Sequence, residues 1–264
     1  IKYTSGHTFN RFFREIFMSV VISGTGLFTP PESISNDELV ACFNSYVDKF
    51  NSDNKLAIEN GSVNALSHSS SAFIEKASGI KSRYVMSKSD ILNVDVMKPS
   101  FVERPNEALS LQAEIGVAAA KQAMAAANKT AADIDLVIVA CAYTQRSYPA
   151  MAIEIQQALG CAGWGFDMLV ACSAATFGII NAANAVRSGT AETVLVINPE
   201  ILTPQINYRD RDSHFIFGDV ATASIIEDES TATGEHQFRI IAEQPITQFS
   251  NNIRSNIGYM NQCS

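Results

Sequence analysis

From Met168 onward an apolar stretch that fits a strand runs without a charged break into one that fits a helix, in Phe166-Asp167-Met168-Leu169-Val170-Ala171-Cys172-Ser173-Ala174-Ala175. The run Met168 to Ala171 is apolar on both faces, the pattern of a buried strand end. From Ser173 to Arg187 apolar residues fall all round the helical wheel, so this helix is expected to be buried as well. The rest of the chain repeats the alternation. Strands are expected at Val20–Ile22, Asp135–Ala142, Thr193–Asn198, Ala221–Glu227 and Phe238–Ala242. Helices are expected from a Ser35/Glu38 capping box, over 72–77 with a stop at Gly79, over 107–127, and over 150–159 with a stop at Gly160. This order predicts an α/β fold with a mainly parallel sheet covered by helices on both faces. Residues 51–70 are polar and rich in Asn and Ser, and read as a surface insertion; 86–105 reads as loop.

Cys172 stands where the strand gives way to the helix. Unpaired backbone N–H groups and the positive end of the helix dipole favour a nucleophilic thiolate there. Ser173, Ala174 and Ala175 are small and leave room for a substrate carbonyl. The other reading of such a residue is a small buried hydrophobe.

Composition bounds the rest. The chain of 264 residues allows one large domain or two modest ones. A formal charge of −8 and a pI near 5.0 argue against broad nucleic-acid or anionic-membrane binding, and leave a local basic patch for a phosphate-bearing ligand open. Five cysteines, at 42, 141, 161, 172 and 263, show no metal-ligand spacing. They fit free thiols in a reducing cytoplasm better than a disulfide framework. No apolar run approaches 18 residues, so no membrane span is expected. Residues 1–17 lack a signal-peptide pattern and read as a non-native extension or upstream read-through ahead of Met18, or else as an amphipathic arm.

Cys172 with its flanks, Gly79-Ile80-Lys81-Ser82-Arg83, and the stretch Asp210-Arg211-Asp212-Ser213-His214-Phe215-Ile216-Phe217-Gly218-Asp219 together resemble the β-ketoacyl-acyl-carrier-protein synthase III family. Motif order matches too: G-I-x-x-R, the long helix, the V-I-V-A strand, Tyr148-Pro149, A-C-S, S-G, D-R and F-G-D, over about residues 18–245. The resemblance implies a thiolase-like fold of two pseudo-symmetric α/β halves, with 18–235 as the N-terminal half and 236–264 as the start of the second, and a homodimer in the cytoplasm. It implies a decarboxylating condensation of an acyl-CoA primer with malonyl-acyl-carrier protein in fatty-acid synthesis. Both are substrates, and no cofactor or metal is called for. Cys172 falls on the nucleophile that carries the acyl group. Phe73 and Arg211 fall where the family stacks the CoA adenine, and Tyr148 and Phe217 near the acyl and catalytic pocket. The insertion before Gly79 points to the longer subgroup that takes medium-chain primers.

Two departures stand out. A basic phosphate-contacting position of the family is Ala77 here, beside Lys76. The histidine and asparagine that the family places in H-Q-A-N- and N-T-S-type motifs of its second half are not found in these 264 residues; His236-Gln237 is only a dipeptide echo on an expected strand edge. Acylation is therefore expected of these residues, and complete condensation is not. The alternatives are another thiolase-fold acyl-CoA condensing enzyme, such as a hydroxymethylglutaryl-CoA or olefin-forming synthase, and a non-catalytic interaction protein with the same fold. His68 and His214 read as surface or satisfied histidines rather than partners of Cys172. Asp210 and Asp212 read as members of an ion-pair network. Gly24-x-Gly26 lacks the third glycine of a dinucleotide loop, and the alanines of 107–127 read as packing.

Overall fold

The structure is a computed structural model and describes residues 19–250; the readings of residues 1–17 and Met18, and the last part of that for 236–264, lie outside the described residues. The chain divides into two compact units. One holds residues 19–28, 104–200 and 220–245, the other 29–103, 201–219 and 246–250.

The first unit is built on a six-stranded sheet. Its strands are β1 (Val20–Phe28), β4 (Leu136–Cys141), β5 (Trp164–Leu169), β6 (Thr193–Ile201), β7 (Asp219–Asp228) and β8 (Phe238–Arg239), in the order β5-β4-β6-β7-β1-β8. The sheet is mixed. β4 pairs in parallel with β5 and β6, whereas β1 runs antiparallel to β7 and β8. The apolar runs at 136–141 and 193–197 lie in β4 and β6, which are buried along almost their whole length. β5 departs from expectation. Among the described residues it pairs only with β4, so it is an edge strand; Leu169, in the run expected to be buried, is exposed, as is Trp164.

Three helices pack in this unit: α4 (Leu111–Ala126), α5 (Met151–Leu159) and α6 (Ala174–Arg187). The first begins at Leu111 and not at Glu107, because Ser110 caps it, its Oγ accepting the Ala113 N–H at 3.1 Å. Its alanine face lies directly on β1, where Gly24 and Gly26 leave space for helix backbone; those glycines are packing positions and cradle no phosphate. Helix α6 is buried on its Ala174, Gly178, Ala182, Ala183 and Val186 stripe and exposed at Ala175, Asn181 and Asn184, so it is not covered all round.

The second unit holds a ribbon of β2 (Glu32–Ser35) and β3 (Ser82–Val85), with helices α1 (Asn36–Asp53), α2 (Lys55–Glu59) and α3 (Ser71–Ser78). The expected capping box is present: Ser35 Oγ accepts the Glu38 N–H at 3.2 Å and the Glu38 carboxylate accepts the Ser35 N–H at 2.9 Å. Gly79 ends α3 with φ +76, a left-handed turn that glycine adopts without strain. The polar stretch 51–70 contains the end of α1 and all of α2, and is largely exposed. The core of this unit gathers Ile34, Leu39, Phe43, Ile74, Tyr208 and Phe215. The last expected strand is shorter than read, since only Phe238–Arg239 pairs with β1. Among the described residues, no helix is long and apolar enough to cross a membrane.

Candidate active site

Cys172 is exposed at the carboxyl end of β5, the edge of a parallel sheet segment where α/β folds collect their ligands. The chain reaches it through an elbow. β5 ends at Leu169, the Val170 N–H donates to the Cys141 carbonyl at 3.2 Å, and Ala171 turns to φ +45. A left-handed alanine costs about 1 kcal/mol or more and persists only where the surroundings hold it. A 3-10 turn, Ala171–Ser173, follows, and the α-helix opens at Ala174. Cys172 therefore precedes the helix instead of occupying its first turn, one residue ahead of the Ser173 cap. Neither the elbow nor the exposure was visible in the apolar pattern.

Neighbouring loops are held by groups outside the motifs read from the sequence. Asp167, the one charge in β5, accepts the Met151 and Ala152 N–H groups at 2.7 Å each, capping α5 from another element. A lone carboxylate inside an apolar strand was the available signal. Glu200 lies near the carboxyl end of β6. Its Oε1 accepts the Ala142 N–H at 2.9 Å, and burial pushes its carboxyl up to about 7. Arg146 fixes the loop after β4 through the carbonyls of Ala108 and Pro105, at 2.8 and 3.1 Å. That loop carries Tyr148, which is 91% exposed.

In the second unit the Arg211 guanidinium lies over the Phe73 ring, 4.2 Å from ring centroid to Cζ, and its Nε donates to the His68 carbonyl at 2.8 Å. The two residues singled out for one ligand are thus brought together, in direct contact with each other. Phe73 also meets Phe215 edge-on at 6.0 Å. Phe217 is 39% exposed, and the Gly218 backbone that follows it approaches the Tyr84 carbonyl too closely for any side chain. Asp219 is a structural acceptor for the Met86 and Thr203 N–H groups at 2.9 and 3.0 Å. The expected ion-pair network at 210–212 reduces to one exposed contact, Arg211 to Asp212 at 3.4 Å; Asp210 instead accepts bonds within its own turn. His68 is a surface residue paired with Asp48 at 2.7 Å, and His214 is buried in the core. Lys76 and Ala77 are exposed on α3. Among the described residues, no group of three His, Cys, Asp or Glu gathers to hold a metal.

The thiols differ sharply in environment. Cys42 and Cys141 are buried and Cys161 is partly buried. Burial raises all three, Cys141 to about 12, where the nearby Glu200 and Asp167 carboxylates add to the effect. Limiting iodoacetamide at neutral pH should therefore label Cys172 before these three, read by peptide mapping. Earlier labelling of Cys42 or Cys161 would refute the ranking.

Comparison with known proteins supports the same reading. The sequence profile of the 3-oxoacyl-[acyl-carrier-protein] synthase III family matches residues 166–245, which include Cys172, Arg211 and Phe217. A β-ketodecanoyl-[acyl-carrier-protein] synthase of Pseudomonas aeruginosa is 54% identical over 220 residues, covering 83% of this chain and 63% of that protein. A β-ketoacyl-[acyl-carrier-protein] synthase III of Granulibacter bethesdensis is 29% identical over 207 residues, 78% of this chain and 51% of its own. The crystal structure of 3-oxoacyl-[acyl-carrier-protein] synthase III from Aquifex aeolicus superposes with a TM-score of 0.58 at 25% identity, over 80% of this chain and 54% of that one. The chain thus spans between half and two thirds of the length of these relatives. Within that span, with the cysteine elbow and the ordered motifs on a thiolase-like α/β fold, its residues 166–245 match the 3-oxoacyl-acyl-carrier-protein synthase III family.

Proposed function

We propose that this chain supplies the nucleophile of a decarboxylating condensing enzyme of fatty-acid synthesis that uses a medium-chain acyl-CoA primer. The Cys172 thiolate attacks the primer's thioester carbonyl, a new C–S bond forms, and the CoA thiolate leaves. Malonyl-acyl-carrier protein then loses CO₂, and the resulting carbanion attacks the acyl-cysteine carbonyl. That step expels the cysteine thiolate and releases a β-ketoacyl-acyl-carrier protein. One observation carries the reading: the exposed Cys172 elbow at the carboxyl edge of the sheet, in a chain 54% identical to a β-ketodecanoyl-acyl-carrier-protein synthase. A ten-carbon product requires an eight-carbon primer plus two carbons from malonate, so octanoyl-CoA is the primer to try. Intact-mass measurement after incubation should show one octanoyl group, mapped to Cys172. No adduct would favour a non-catalytic thiolase-fold protein.

Phe73 and Arg211 are the proposed seat of the CoA adenine, which joins their ring–guanidinium stack. Ring–cation contacts at partly exposed sites contribute about 0.5–2 kcal/mol. Phe73→Ala should accordingly raise the CoA dissociation constant several-fold by titration calorimetry, and an unchanged constant would remove the assignment. Phe217 and Tyr148 are proposed to meet the acyl chain. The free edge of β5, with Trp164 and Leu169 exposed on it, is proposed as the seam with a second copy of the chain. Free thiols suit a reducing compartment, and we place the protein in the cytoplasm.

A further inference from the structure

Besides Ser69, three polar side chains in the core of the second unit keep a buried atom without a hydrogen-bond partner: Arg83 Nε, Tyr208 Oη and His214 Nε2. The residues are 6%, 1% and 0% exposed. Buried polar atoms are nearly always partnered, so three orphans in one region need a common explanation. They share one neighbourhood. Arg83 pairs with Ile34 across the β2–β3 ribbon and donates from Nη1 to the Ile34 carbonyl at 3.0 Å. Tyr208 belongs to the same buried cluster as Ile34 and Phe43, and His214 stacks on Phe43 with ring centroids 4.6 Å apart. The Arg83 charge acts on both other groups.

The chemistry of the three atoms is complementary. His214 Nδ1 faces two carbonyl oxygens, Asp210 at 3.0 Å and Arg211 at 2.9 Å. Carbonyls only accept, so Nδ1 carries the hydrogen, and burial holds the ring neutral by lowering its pKa. His214 Nε2 is then a bare lone pair that needs a donor. Arg83 Nε–H can only donate, its Nη2 being committed to Asn36 Oδ1 at 2.7 Å. Tyr208 can do either. A ligand serving all three must accept from Arg83 and donate to His214. A halide or a carboxylate cannot donate to Nε2, and a cation is repelled by the guanidinium.

From this donor and acceptor inventory we propose that Arg83 Nε, Tyr208 Oη and His214 Nε2 together bind one internal water molecule. It accepts from Arg83 and donates to His214, with the tyrosine hydroxyl completing its shell. Through the His214 ring the water ties strand β3 to the 210–214 turn that presents Arg211. The proposal stands independently of the function given above.

A crystal structure at about 1.5 Å should show a solvent peak within hydrogen-bond distance of all three atoms, as internal waters commonly make about three such bonds. Direct bonds among the three side chains, absence of the peak, or an anomalous signal from a chloride in its place would each overturn the proposal. In solution, Tyr208→Phe and His214→Phe should each lower the melting temperature. The double variant should lose less than the sum of the two, because the first change already releases the water on which both depend. Additive losses would overturn it. Tyr208→Phe preserves the ring volume, and the crystallographic result requires no variant at all.

Discussion

Octanoyl transfer to the protein disappears in Cys172→Ala, falling by more than about 10³ relative to the parent chain, as expected when a covalent nucleophile is removed. The expectation rests on the position of the thiol. Cys172 is exposed at the elbow, whereas Cys42 and Cys141 are buried and raised by desolvation. Time courses of intact mass with octanoyl-CoA give the comparison directly, and circular dichroism confirms that the variant is folded, since an exposed side chain leaves no cavity behind. Persistence of the adduct in Cys172→Ala would move the nucleophile elsewhere, with Cys161, the partly buried thiol, examined next. Loss of the adduct in Phe73→Ala with retention in Cys172→Ala would likewise reject this assignment.

Gly26→Ala should be a strongly damaging methyl addition in the first unit. Gly24 and Gly26 lie two apart on β1 and so point to one face, where both are buried against α4. A Cβ at residue 26 would run into the Ala119 carbonyl oxygen and come within 2.7 Å of the Ala123 amide nitrogen. Those are helix backbone atoms that cannot rotate away, so the helix must move as a body. Ala119, Ala123 and Ala127 are fully buried, and the contact therefore has no slack. Overpacking of this kind costs about 3 kcal/mol, which in a chain of this size lowers the melting temperature by about 6–12 °C. Thr25→Ala, on the exposed face between the two glycines, serves as the control and should change it little. A Gly26→Ala melting point within about 2 °C of the parent would show that β1 and α4 are not in backbone contact.

Much of the architecture was readable from local pattern. Apolar runs located β4 and β6 because strands covered on both faces need no polar residues. Ser35 and Glu38 located a helix start, and Gly79 and Gly160 located two helix ends, because capping is satisfied within a few residues of chain. Cys172 was singled out by its place between strand and helix, and the ordered motifs around it pointed to the family that residues 166–245 match.

What the pattern could not supply depends on partners distant in sequence. β4 is a central strand and β5 an edge strand because of which neighbours pair with each, which no local pattern states. Asp167 caps a helix that begins 16 residues before it in the chain, and Glu200 holds an N–H that lies 58 residues away. Neither role follows from a local rule. The contact of Arg211 with Phe73 and the burial of His214 against Phe43 likewise join segments more than a hundred residues apart. By itself, then, the sequence determined most of the elements, their local caps and the candidate nucleophile, since these depend on side-chain periodicity and short-range hydrogen bonding. Only the tertiary structure decided which strand is left at the edge, how the chain turns to expose Cys172, and which buried polar groups meet, because these follow from long-range packing that periodicity does not encode.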